Sequence, residues 1–132
     1  MIIETEEYRE LIKVELEIFD IAETLAKTNK RYAVKCGVLV VKGQQIICGN
    51  LASFRATYYN DTWNFHPEAT VLDMYSADEG EVAFYIAKTN ISNEPVKSRP
   101  CVKCMKEIKA NEEVVAIYYR DDYLRIVKEV LK

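Results

Sequence analysis

No stretch of this sequence approaches the ~20 consecutive apolar residues that a membrane-spanning helix needs, so no membrane partner is expected. The acidic opening, Met1 to Glu10, lacks the basic start of a secretory signal. With only four cysteines, a disulfide framework of the kind that small secreted domains use is not suggested either. These absences point to a soluble protein of the cytoplasm. Excess positive charge is missing too: the net charge is −3, which argues against extended binding to a nucleic-acid backbone. It leaves room for one or two phosphates on a small substrate. Internal repeats, linkers and low-complexity segments are absent. The 132 residues, 49% of them hydrophobic, suffice for one core, and so for a single domain over 1–132. Histidine is nearly lacking, and His66 is the only one.

That histidine opens the run His66-Pro67-Glu68-Ala69, and further on stands Pro100-Cys101-Val102-Lys103-Cys104. One imidazole and two thiolates make three tetrahedral ligands for zinc and leave the fourth position open for water. Water bound there acidifies from a pKa of about 16 towards roughly 7, so hydroxide exists at neutral pH. Glu68, two residues past the histidine, is too close along the chain to be an ordinary fourth ligand of a closed site. It is well placed to move protons between that water, a ring nitrogen and a departing amine. A Cys-x-x-Cys pair alone would equally suit a redox pair, half of a zinc knuckle or two cysteines on one helix face. Order, prolines and glutamate together match the His-x-Glu, Pro-Cys-x-x-Cys signature of zinc nucleobase deaminases. A closed site would need a fourth ligand from Cys36 or Cys48, and both lie in apolar runs that read as strands. One catalytic zinc ion in an open, three-ligand site is therefore expected. Cys36 and Cys48 could face each other across a hairpin and hold a second metal, but plain burial is the commoner role for such cysteines.

Taken in order, residues 6–28 read as an amphipathic helix, with Tyr8, Leu11, Ile12, Phe19, Ala22, Leu25 and Ala26 at helical spacing. Residues 33–41 and 45–49 read as a hairpin around Lys42-Gly43-Gln44. The aromatic stretch from Leu51 to Phe65 reads as a pocket-wall loop. Residues 66–77 form a helix that Pro67 starts, and Val82 to Ala87 is a near-continuous apolar strand buried on both faces. A polar loop, 89–99, leads to a helix opened by Pro100, whose positive end favours Cys101 and Cys104 as thiolates. Glu112 to Tyr119 is a further strand, and Asp121-Asp122 caps a last helix, Tyr123 to Leu131. This order predicts an α/β protein: a three-layer α/β/α sandwich around a mixed sheet of four or five strands.

With these residues in place, the chain resembles the cytidine deaminase-like superfamily over nearly its whole length. Histidine rather than cysteine in the first motif groups it with deoxycytidylate, tRNA adenosine, guanine and polynucleotide cytosine deaminases. The run Pro100 to Ile108 followed by Glu113-Val114-Val115 is most similar to the deoxycytidylate deaminase form. The resemblance implies that His66, Cys101 and Cys104 bind zinc and that Glu68 is the proton shuttle. It also implies that Ala69 offers a backbone N–H beside metal and base, and that Asn50 hydrogen-bonds sugar or base. Tyr118 or Tyr119 would pack near the substrate. Three departures stand out. Pro67 replaces a usual alanine, and Arg99 precedes Pro100 where relatives carry a small serine, with Ser98 one place earlier. A fifth strand after the last helix is missing from the reading, so the C-terminal edge is expected to be trimmed.

The activity implied is zinc-dependent hydrolysis of a cytosine nucleotide, foremost deoxycytidine monophosphate (dCMP) to deoxyuridine monophosphate (dUMP) plus ammonia, by a homo-oligomer. Arg55, Lys97, Arg99 and Arg120 are the cations that could meet a phosphate, each also readable as solvated surface charge. A base in RNA or single-stranded DNA is the alternative substrate; Tyr58, Tyr59 and Trp63 would suit it, the acidic balance would not. Another free base or nucleoside is a further substrate option. A zinc-stabilised nucleotide-binding protein without activity is the non-enzymatic alternative, against which Glu68 speaks.

Overall fold

The computed structural model describes residues 11–28, 34–53, 80–90 and 92–131. Helix α1 spans Lys13–Lys27 and buries Ile18, Phe19, Ala22 and Ala26, the stripe its spacing requires. It starts later than the apolar pattern suggests. Ile12 is extended (φ −81, ψ 166), and its N–H donates to the Glu15 carboxylate at 3.1 Å, which caps the helix there. The acidic start around Thr5 lies outside the described residues.

Strands β1 (Val34–Lys42) and β2 (Gln45–Ser53) form an antiparallel hairpin. Its turn is Gly43-Gln44, with Gly43 at φ +62, the left-handed first position that a tight hairpin asks of glycine. Strand β3 (Val82–Asn90) pairs antiparallel with β1, and the two-residue β4 (Pro95–Val96) folds back on β3. Helix α2 (Val102–Ala110) then crosses to β5 (Val114–Arg120), which lies parallel to β3. A parallel neighbour requires such a crossover.

The last element corrects the sequence reading. Residues 123–131 do not form a helix; Ile126–Val130 is a strand, β6, antiparallel to β5. Asp121 is the reason. Its carboxylate accepts the N–H groups of Tyr123 (2.9 Å) and Arg125 (3.0 Å) and the Arg125 Nε at 2.9 Å. Backbone bonds Asp121 N–H to Arg125 O and Leu124 N–H to Asp121 O, both 2.9 Å, close the turn, with Leu124 at φ +64. An acceptor expected to cap a helix caps a hairpin instead. The β-branched Ile126, Val127 and Val130 then favour the strand, and the C-terminal edge of the sheet is extended rather than trimmed.

The result is an α/β protein with a mixed six-stranded sheet, ordered β2-β1-β3-β5-β6 with β4 beside β3. Alternation along the strands splits the core in two. Cys36, Val38, Val40, Phe84, Ile86, Ile117 and Tyr119 face α2 through Met105 and Ile108. Leu39, Val41, Tyr85, Ala87 and Tyr118 face α1 through Ile18, Phe19 and Ala22. Helix α1 lies so close to β1 that a Cβ on Gly37 would sit 2.7 Å from the Ala22 carbonyl oxygen.

Candidate functional site

The segment that leads into the Cys-x-x-Cys pair is built at the end of the parallel strands. Ser98, fully buried, fixes it there. Its N–H donates to Arg120 O (3.0 Å), its hydroxyl donates to Ile86 O (2.7 Å), and that hydroxyl accepts the Arg120 N–H (2.9 Å). One side chain thus satisfies backbone groups of both β3 and β5 where the two strands part, as buried backbone polar groups demand.

Arg99 comes next. Its Nε and Nη2 donate to the two carboxylate oxygens of Glu129 at 3.2 and 3.1 Å, a two-point pairing that sets orientation as well as distance. Glu129 is 0% exposed and also accepts the Tyr119 hydroxyl at 2.6 Å. The guanidinium lies 5.9 Å from the centre of the Tyr119 ring, within cation–π range. Partial burial opposes the charge on Arg99, but the hydrogen bonds and charge of Glu129 outweigh it and push the pKa up.

Pro100 is buried, and Cys101 follows as the N-cap of α2, extended at φ −66 and ψ 168. Its carbonyl accepts the Met105 N–H at 2.8 Å. Cys101 is exposed and Cys104, one turn on, is 1% exposed; both carry thiols outside any disulfide. The first turn of α2 holds no acidic residue of its own to offset its positive end. Two thiols three residues apart at a helix start have the chemistry of a soft-metal ligand pair and suit zinc. Among the described residues, no further His, Cys, Asp or Glu joins them to make a group of three. His66, Glu68 and Ala69, expected to complete the site, lie outside the described residues.

Asn50 stands in β2 opposite Val38; its side chain lies outside the described residues. Tyr118 faces away from the cysteines, on the α1 side of the sheet. There it stacks on Tyr85, centroids 3.9 Å apart, and its hydroxyl donates to the Glu15 carboxylate. Burial, then Glu15, then Tyr85 raise its pKa, so it stays protonated. The structure therefore does not bring Tyr118 to Cys101 and Cys104; Tyr119, one step on, lies on the opposite face with Met105 and Ile108 of α2.

Of the candidate phosphate cations, two are engaged inside the fold. Arg99 pairs with Glu129, and Arg120 pairs with Glu23 at 2.7 and 3.0 Å while also donating to Leu124 O. Lys97 is exposed, and Arg55 lies outside the described residues. A facing Cys36–Cys48 pair is corrected by the hairpin register: Cys36 lies opposite Ala52, and Cys48 opposite Val40. Cys36 belongs to the core on the α2 side.

Glu129 is the residue that sequence reading missed. The signal was the two-residue alternation in Val127, Glu129 and Leu131 against Ile126, Lys128 and Val130, which helical spacing obscured. A glutamate on the apolar side of a strand needs a cation, and Arg99 supplies it. No protein-family model, no curated protein and no solved structure matches the chain.

Proposed function

We propose that this chain is a zinc-dependent hydrolytic deaminase of the cytidine deaminase-like fold, acting on a cytosine nucleotide, foremost dCMP. The observation that carries the reading is the placement of Cys101 and Cys104. They stand on the first turn of the crossover helix. Ser98, three residues before Cys101, bonds to Ile86 of β3 and Arg120 of β5 where the parallel pairing ends, the region where α/β sheets bind their ligands. The order of His66, Glu68, Pro100, Cys101 and Cys104 along the chain supports it.

His66, Cys101 and Cys104 would hold the metal, which when bound makes water a nucleophile at neutral pH. Glu68 would take a proton from the attacking water, deliver it to the ring nitrogen N3, and pass a further proton to the leaving amine. Oxygen would add at C4, the C4–N bond would break, and ammonia and the uracil nucleotide would leave. Asn50 and the Ala69 N–H would orient the base and sugar. Assembly as a homo-oligomer belongs to the same proposal.

The test offers the zinc-loaded protein cytidine, deoxycytidine, their mono- and triphosphates, guanine and adenosine, and reads ammonia release. We expect turnover of dCMP, abolished in Glu68→Gln with zinc retained. Activity that survives Glu68→Gln would overturn the role given to that residue. Silence across the panel with zinc bound would overturn the nucleotide substrate and favour a polymer or a protein without activity.

A further inference from the structure

Resting on that reading, we infer that Glu129 is a positioning residue for the metal-binding pair, acting through Arg99 on the Cys101 end. The two cysteines are not held alike. Cys104 is 1% exposed within the helix, whereas Cys101 is exposed at its N-cap. The chain that enters Cys101 is one of the things that set where its thiol stands. That chain is Ser98-Arg99-Pro100, and each residue is fixed differently.

Ser98 sets where the segment leaves the sheet, through its bonds to β3 and β5. Pro100 removes one backbone rotation directly before Cys101. What remains is the twist of the segment about its own axis. The planar fork of Arg99 on the Glu129 carboxylate governs it, since two parallel bonds admit one orientation. Glu129 is a firm anchor: it is 0% exposed, held by the Tyr119 hydroxyl, and placed on β6 opposite Ile117. It also neutralises the cation that stands two residues before Cys101.

Groups bonded directly to metal ligands are typically worth about 10–100-fold in metal affinity, and the lower end of that range is expected of a pair acting through the chain. The experiment titrates the full chain with cobalt(II) as a probe for zinc. It reads the dissociation constant and the thiolate-to-cobalt charge-transfer absorbance per bound ion. Glu129→Gln keeps the shape but removes the charge pair; Arg99→Lys keeps the charge but removes the fork. We expect each to weaken binding by about tenfold or more and to lower the absorbance per bound ion, with no rescue by lysine. The double variant should be no weaker than the worse single one, because both act through one link. Should Glu129→Gln fail to fold, Arg99→Lys carries the test, since the Arg99 side chain is 42% exposed. Unchanged affinity and absorbance in the variants, with strong binding by the parent, overturn the inference and leave the zinc reading intact. A parent chain that binds no cobalt overturns both.

Discussion

Asp121 shows how one side chain decides which element follows it. Its carboxylate gathers the N–H groups of Tyr123 and Arg125 and the Arg125 guanidinium into one turn. Desolvation alone would raise its pKa, but the hydrogen bonds from Arg125 and Tyr123 and the charge of Arg125 override this and hold it below the usual carboxylate range. The sign of the linkage follows. A carboxyl whose folded pKa is lowered contributes its stability in full above the unfolded value, about 3.9. That contribution is lost as pH falls through the lower folded value. Asp121→Ala should therefore destabilise the protein at neutral pH, and the gap from the parent should narrow below about pH 4. Denaturant unfolding across that range checks it; a gap independent of pH would contradict the role. The same residue explains why the last element was misread. An aspartate before an apolar run satisfies a helix N-cap and a hairpin turn equally well, and the choice lies in bonds to residues two and four places on.

At the scale of elements, most of the sheet was legible. The β-branched runs of β1, β3 and β5 and the glycine turn after β1 dictate their own structure, because such residues fit a pleated buried surface and little else. Less legible was β6, whose residues suit a helix stripe as well as a strand. The beginning of α1 was also misjudged, since apolar spacing continues past the point where Glu15 caps the chain. The contact between α1 and β1 depends on Gly37, where a Cβ would meet Ala22 O at 2.7 Å and Ala26 N at 2.8 Å. Both obstacles are backbone and cannot swing aside. Gly37→Ala should cost about 2–3 kcal/mol, read as a lower denaturation midpoint. Near-parent stability would mean that α1 can lift without loss. The helix has other ties to the sheet, Glu15 to Tyr118 and Glu23 to Arg120, so it should shift rather than detach.

At the scale of the whole molecule, the fold separates two kinds of buried charge. On the α1 side, Glu15 and Glu23 dock a helix. On the α2 side, Glu129 and Arg99 brace the segment that carries the thiols. The place of the Cys-x-x-Cys pair was legible as a motif, since Cys101 and Cys104 take the helix start that Pro100 announces. What supports it was not, because Arg99, Tyr119 and Glu129 meet only through sheet pairing between β5 and β6. Parity along β5 likewise puts two adjacent tyrosines on opposite faces of the sheet, and composition cannot show it.

The central claim is that His66 and the two cysteines of α2 share one zinc ion. The most direct measurement is the zinc content of the purified chain beside that of His66→Ala. The account predicts one zinc ion per parent chain and its loss in His66→Ala, with α1 and the sheet still folded by circular dichroism. Zinc retained in full without His66, or none in the parent after zinc reconstitution, would contradict it.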